Sequence, residues 1–220
     1  MRFFSLDARL SLCAEFVRNG SRIADIGTDH AYLPVHLILS GKIPSAIAAD
    51  IGAEPLKSGT ETVVRYELQD KISLRLSDGL QGISPEEVDD IVIAGMGGET
   101  IIGILERAPW VHDRRLRLIL QPMTKAHLVV EFLCKEGFEI TMQKACETGD
   151  KVYTVIAASY AETAHIPEEI FTYMGRLNPH SEPADRKYLE GQIRMLKKQG
   201  MGDSRYTLLA DQITERLENL

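Results

Sequence analysis

The sequence predicts an α/β fold: an open, mostly parallel sheet that ends in an antiparallel hairpin, followed by a C-terminal helical hairpin. Three observations predict it. Apolar runs of strand length alternate with helical periods from Arg22 to Glu136, the pattern of parallel strands covered on both faces. Two further strands, 138–145 and 152–159, follow with no helix between them. A connection that short makes them antiparallel. After Tyr160 no apolar strand follows, only helical periods.

Each element has its own signal. Leu6, Leu10, Cys13, Ala14 and Val17 recur with a helical period over 6–17. Residues 22–26 form a first strand running into Asp25-Ile26-Gly27, and 32–39 a helix stopped by Gly41 in the role of a C′ glycine. A second strand spans 46–50, then a helix spans 54–67 with apolar positions at Leu56, Val63 and Val64. The third and fourth strands are 72–76 and 91–94, and a helix over 98–107 is closed by Ala108-Pro109. A fifth strand at 116–121 leads into a helix over 125–136 capped by Thr124. In the tail, Ile170, Phe171, Met174 and Leu177 share one helical face. Leu189, Ile193 and Leu196 form a second face, and Leu209, Ile213, Leu217 and Leu220 a third. The turn at 200–204 separates these last two, with an N-cap candidate at its end. The expected division is residues 1–160 as one domain and 161–220 as an antiparallel helical hairpin with a coiled-coil seam.

Composition excludes several classes. The chain has 220 residues, 44% hydrophobic and 26% charged, values of an ordinary globular protein rather than a disordered one. A net charge of −7 argues against nucleic acid wrapped over the whole surface but leaves a local basic face open. The tail carries eight basic and ten acidic side chains and is no polycation. Cys13, Cys134 and Cys146 are few, odd in number and without metal-ligand spacing, so neither a disulfide framework nor a metal site is expected. No targeting segment or bilayer-length apolar run is present. The expectation is a soluble cytoplasmic protein, its oligomeric state open and a monomer included.

Ligands of an open parallel sheet bind at the carboxyl ends of the strands. Those ends read Asp25-Ile26-Gly27-Thr28-Asp29-His30, Asp50-Ile51, Ser77-Asp78-Gly79, Ala94-Gly95-Met96-Gly97-Gly98 and Gln121-Pro122-Met123. Gly27 permits a tight turn and the close approach of a ligand. The pattern is not a dinucleotide fingerprint, because Asp29 stands where the second glycine would be, with Ala31 and Tyr32 where the third would follow, and Asp29 would repel a pyrophosphate. Asp50, 23 residues beyond Gly27, suits ribose hydroxyls. Asp78 suits an exocyclic amine such as adenine N6. A nucleoside with a positive centre in place of phosphates is S-adenosylmethionine. Together with the terminal hairpin, this acidic lining points to a Rossmann-like class I methyltransferase. Expected cofactor residues are Asp25, Gly27, Thr28, His30, Asp50, Ile51, Asp78, Gly79, Gly95, Met96 and Gly97. Packing roles stay open for Asp25, as a holder of turn amides, and for His30, as a hydrogen-bonded structural group.

Two longer motifs, Ala24-Asp25-Ile26-Gly27-Thr28-Asp29-His30-Ala31-Tyr32-Leu33-Pro34 and Ile93-Ala94-Gly95-Met96-Gly97-Gly98, stand out. With Leu120-Gln121-Pro122-Met123, Leu6-Asp7-Ala8-Arg9-Leu10 and Gly149-Asp150-Lys151-Val152-Tyr153, they resemble the bacterial tRNA (adenine-22-N1)-methyltransferase family over about residues 5–160. The resemblance implies methyl transfer from S-adenosylmethionine to N1 of an adenine in the D-arm of tRNA, and a C-terminal coiled-coil hairpin that helps hold the tRNA. Asp29 is then the candidate catalytic residue, with the Gly95 and Met96 carbonyls as the backbone alternative. Gln121, Gly98 and Arg9 are candidates for the substrate side, Arg9 to hold a phosphate or to brace the Asp29 turn. Arg2, Arg18, Arg22, Arg114, Arg115, Arg117, Lys187, Arg194, Lys197 and Lys198 are candidate phosphate contacts. The competing readings are a nicotinamide-dependent oxidoreductase, a methyltransferase of another RNA or a small molecule, and a non-catalytic binding module.

Overall fold

The computed structural model describes residues 4–218; Arg2 and Leu220 lie outside them. In chain order the elements are α1 (Ala8–Phe16), β1 (Ile23–Ile26), α2 (Tyr32–Leu39), β2 (Ala46–Asp50), α3 (Ala53–Arg65), β3 (Ile72–Leu76) and β4 (Asp90–Gly97). There follow α4 (Gly98–Glu106), β5 (Arg117–Thr124), α5 (Ala126–Lys135), β6 (Phe138–Thr148), β7 (Lys151–Tyr160), α6 (Glu169–Met174), α7 (Pro183–Gly200) and α8 (Ser204–Glu218). The sheet order is β3-β2-β1-β4-β5-β7-β6. The first five strands pair in parallel, and β7 runs antiparallel to both β5 and β6. Chain order reverses between β1 and β4, which opens a crevice above their carboxyl ends.

The central strands are apolar on both faces because helices cover both. Ile91, Ile93, Leu118 and Leu120 pack towards α4 and α5, and Ile23, Val92 and Ile119 towards the α1 and α2 side. Asp7 caps α1, its Oδ1 accepting from the Leu10 amide at 2.9 Å.

Four expectations are corrected. The fourth strand does not stop at Ala94; β4 continues through Gly97, with register irregularities against β5 at Met96 and Gly97. Gly95 takes φ +81 there, so a glycine cluster that reads as a turn is a bulged strand end. The cap of α5 is Lys125 at φ 54, with no side-chain cap bond, rather than Thr124. Val64 is half exposed, whereas Val63 is the buried member of that pair. Finally, α6 ends at Met174, so Leu177 lies beyond it, and Phe171 packs against the main core instead of the tail seam.

The two long tail helices pack against each other through Leu189, Leu196, Leu209, Ile213 and Leu217, a cluster that also takes in Ala145 and Val152 of the β6–β7 hairpin. The chain between α6 and α7 is tied to β6 by buried polar groups. Asp185 accepts from the amides of Ala145 at 2.6 Å and Asn178 at 2.7 Å. Gln143 accepts from the Arg176 amide at 3.0 Å. A Cβ on Gly175, at φ +53, would collide with the Gln143 amide. These contacts satisfy and cover an edge strand that would otherwise be open to pairing.

Candidate active site

A cavity of about 360 Å³ lies at the switch point, lined by Arg9, Leu10, Asp25, Gly27, Thr28, Asp29, His30, Tyr32, Leu33, Ala94, Gly95 and Met123. It gathers residues from α1, the β1–α2 turn and the ends of β4 and β5.

The β1–α2 turn is shaped by local chemistry. Gly27 has φ +73, and Asp29 and Ala31 are also left-handed, at φ 48 and 55. Two non-glycine residues in that region cost roughly 1 kcal/mol each, and such conformations concentrate at functional sites. Asp25 is buried beneath the turn and accepts from the Thr28 hydroxyl at 2.6 Å. Burial, reinforced by the charge of Asp50 and opposed by the Thr28 bond, pushes its carboxyl up to about 6. Asp29 faces solvent, its side chain 67% exposed, with Oδ2 3.6 Å from His30 Nε2.

The Asp25 shift has a testable consequence. Its folded-state value lies above the unfolded one, so stability carried by the protonated acid is complete below about pH 4 and lost as pH rises through about 6. A rise from 3.8 to about 6 corresponds to about 3 kcal/mol. Asp25→Asn keeps an acceptor for Thr28 and removes the charge. It is expected to match the parent near pH 4 and to exceed it by about 2–3 kcal/mol at neutral pH, read from urea midpoints across that range. A difference independent of pH would contradict the assignment.

On the other side of the cavity, Gln121 is fully buried. Its Oε1 accepts from Arg9 Nη1 at 3.1 Å and from the Gly95 amide at 3.0 Å, and its Nε2 donates to the Pro122 carbonyl at 3.2 Å. Arg9 is further held by Asp7 at 2.7 Å, lies 5.7 Å from the centre of the Tyr153 ring and reaches Met123 Sδ at 3.4 Å. The Gln121 amide therefore positions Arg9 and the Gly95 bulge, and the side-chain bonds of Arg9 go to Asp7, Gln121 and Met123 rather than to the Asp29 turn it was expected to brace. Gln121→Leu leaves both donors without their acceptor and is expected to lower stability by about 1–3 kcal/mol in denaturant unfolding.

The remaining expected residues spread outward. Asp50 and Ile51 stand at the end of β2; Asp50 accepts from the Gly52 amide at 2.8 Å, and Ile51 is exposed. Asp78 and Gly79 follow β3, with Arg107 Nη2 3.1 Å from Asp78 Oδ1. None of these four residues lines the cavity. The Met96 side chain lies against Gly27, where a Cβ would meet its Cε at 2.3 Å. Gly97 sits beside Thr124, and Gly98 is buried so tightly that a Cβ would lie 2.6 Å from the Lys125 carbonyl oxygen. Gly98 therefore lets α4 start against the β5–α5 turn.

Most of the proposed phosphate contacts are elsewhere. Arg18 binds the fully buried Asp90 through its backbone amide at 2.7 Å and its Nε at 2.6 Å. Arg22 pairs with Asp89 at 3.0 Å, Arg115 with Asp113 at 2.6 Å and Arg114 with Glu162 at 2.9 Å. Arg117 donates to the Phe16 carbonyl at 3.2 Å. These groups brace the amino ends of the strands, opposite the cavity. Lys187 pairs with Glu147 near the tip of the β6–β7 hairpin, on the cavity side. Arg194, Lys197 and Lys198 stand farther along α7.

Asp7, Tyr32, Met123 and Tyr153 were not singled out from the sequence. All four lie within motifs that were, so the signal was present, but pairing Arg9 with Tyr153 requires the fold. Among the described residues no group of three or more His, Cys, Asp or Glu could hold a metal ion, and no helix is long and apolar enough to cross a membrane.

A parallel sheet reversed at β1/β4 and closed by an antiparallel seventh strand, with acidic strand ends above a glycine turn, defines a class I methyltransferase. A family model described as a methyltransferase domain matches residues 6–156. The tRNA (adenine(22)-N(1))-methyltransferase of Bacillus subtilis (strain 168) is 40% identical over 158 residues, 72% of this chain and 66% of that protein, so the alignment spans just under two thirds of the relative. A solved structure from Streptococcus pneumoniae, a candidate tRNA (m1A22) methyltransferase in complex with S-adenosyl-L-methionine, superposes with a TM-score of 0.86 at 30% identity, covering 95% of this chain and 98% of that one. The m1A22 tRNA methyltransferase of B. subtilis gives 0.79 at 31% identity, with 97% and 96% covered. The chain belongs to the tRNA (adenine-22-N1)-methyltransferase family.

Proposed function

We propose that this protein transfers a methyl group from S-adenosylmethionine to N1 of adenine 22 in tRNA. The observation that carries the reading is the acidic, glycine-floored cavity at the switch point, together with membership of the family. The residues present fit the cofactor. Asp25, Asp29 and Asp50 would repel a pyrophosphate but suit a ligand with a positive centre, and Gly27 lets the turn take φ +73 while leaving room for the Met96 side chain. Asp50 would take the ribose hydroxyls and Asp78 the adenine amine through Oδ2, since Arg107 engages Oδ1. Asp25, Thr28, Gly79, Ile51 and the Gly95-Met96-Gly97 bulge would complete the cofactor contacts. When bound, S-adenosylmethionine supplies an electrophilic methyl group.

What the chain itself contributes is placement and charge. Adenine N1 carries a lone pair at neutral pH, so no general base is required; the demand is alignment. The methylated ring is cationic, and Asp29 at the cavity mouth stabilises that charge as it develops. Arg9, fixed by Asp7, Gln121 and Tyr153, holds a phosphate of the extruded nucleotide. Gly98 acts through the position it gives α4. Residues 161–220 serve as a second unit that grips the tRNA, with Arg194, Lys197 and Lys198 as its candidate phosphate contacts.

The test is methyl transfer from labelled S-adenosylmethionine to tRNA with nucleoside analysis of the product. Label in 1-methyladenosine is the expected result. Label in another nucleoside would overturn the substrate, and cofactor binding without transfer would leave a binding module.

A further inference from the structure

The mouth of the cavity carries an arrangement of aromatic rings outside the cofactor contacts proposed above. The rings of His30 and Tyr32 are stacked, 5.0 Å apart at 16°. Behind Tyr32 comes Phe4 at 5.0 Å, and behind Phe4 comes Tyr66 at 5.5 Å. Four rings thus form a chain of contacts from Tyr66 beside α3 to His30 at the cavity, stacked between His30 and Tyr32 and tilted at 50° and 60° in the other two pairs. One face of Tyr32 is taken by His30, and the ring at the cavity end of the chain is His30, whose side chain is 46% exposed. The left-handed backbones of Asp29 and Ala31 on either side of His30 fix the turn from which the imidazole projects. The Asp29 carboxylate is a neighbour of the ring, Oδ2 3.6 Å from Nε2.

We infer that His30 is a stacking platform for the purine ring of the nucleotide being methylated, in place of the cofactor role its position in the sequence suggests. The inference rests on the function proposed above and names the substrate contact of that site. A base taken out of a stacked RNA loses stacking energy, and aromatic side chains restore it without regard to base identity. A ring backed by three others is already ordered, so little side-chain entropy is lost when a base settles on it. A purine stacked on His30 would sit near the Asp29 carboxylate, an acceptor for an exocyclic amine.

The experiment compares the wild-type protein, His30→Ala and His30→Phe, measuring methyl transfer to tRNA and, separately, S-adenosylmethionine affinity by equilibrium dialysis. His30→Ala is expected to raise the KM for tRNA on the order of 10- to 100-fold, with cofactor affinity unchanged. His30→Phe, which keeps a π-face and loses both ring nitrogens, is expected to recover most of that loss. If His30→Phe is no better than His30→Ala, the imidazole acts through its nitrogens and the inference fails. If cofactor affinity falls in parallel, His30 belongs to the cofactor and the inference fails. If both variants behave as wild type, the inference fails while the proposed function stands. Absence of 1-methyladenosine with the wild-type protein would remove both.

Discussion

Replacing Asp29 by asparagine is expected to lower turnover on the order of 10- to 100-fold at saturating cofactor, the scale of losing one electrostatic contact to the transition state. Asparagine tolerates the left-handed backbone that Asp29 adopts, at φ 48, about as well as aspartate does. The substitution therefore leaves the turn intact and removes only the charge. The side chain is two-thirds exposed, so the melting temperature should hardly move. The effect belongs in kcat, because the carboxylate is placed to oppose a positive charge that the substrate acquires only as the methyl group arrives. A rate near wild type with saturating cofactor and tRNA would reduce Asp29 to a shaper of the pocket. A loss confined to the cofactor KM would do the same.

The second large effect lies at the opposite end of the sheet. Arg18→Ala removes the Nε donor 2.6 Å from Asp90, a carboxylate with no exposed surface at all. What remains is the Arg18 backbone amide at 2.7 Å and the Ser21 hydroxyl at 3.2 Å. A buried carboxylate stripped of its cation costs about 3–5 kcal/mol. Solvent access to the guanidinium, whose side chain is 37% exposed, places the expectation at the lower end, about 3 kcal/mol. Urea unfolding at neutral pH reads it directly. Activity per folded molecule should be unchanged, since Arg18 touches nothing in the cavity. A stable variant with weakened tRNA binding would return Arg18 to the role of a phosphate contact.

Much of this layout was legible in the sequence. The first three strands are apolar runs ending in Asp-Ile-Gly, Asp-Ile and Ser-Asp-Gly, and strand direction alone places those ends on the ligand side. Where the structure departs from the local pattern, the reasons are physical. Gly95-Met96-Gly97 has the composition of a turn, yet pairing to Pro122 and Thr124 holds it in the sheet, a long-range constraint that no local propensity carries. Arg22, Arg114, Arg115 and Arg117 are candidate phosphate contacts by charge alone, although Arg22, Arg114 and Arg115 precede β1 and β5 and Arg117 opens β5. The same rule that put ligands at carboxyl ends could have excluded them. Gln121 stands out as a candidate for the substrate side because a polar residue ends an apolar strand. Only the structure shows its amide oxygen taken by Arg9 and the Gly95 amide. The tail looked like an appended hairpin because its apolar spacing is self-sufficient, and its attachment through Asp185 and Gln143 to β6 involves residues far apart in sequence.

The most direct test of methylation at N1 of adenine 22 is reverse transcription across tRNA incubated with the protein and S-adenosylmethionine. Methylation at N1 blocks the pairing edge of adenine, so synthesis should halt immediately before that nucleotide. The stop should vanish when cofactor is omitted or when adenine 22 is replaced by guanine. A stop at another nucleotide, or methyl incorporation that leaves reverse transcription unimpeded, would contradict the assignment.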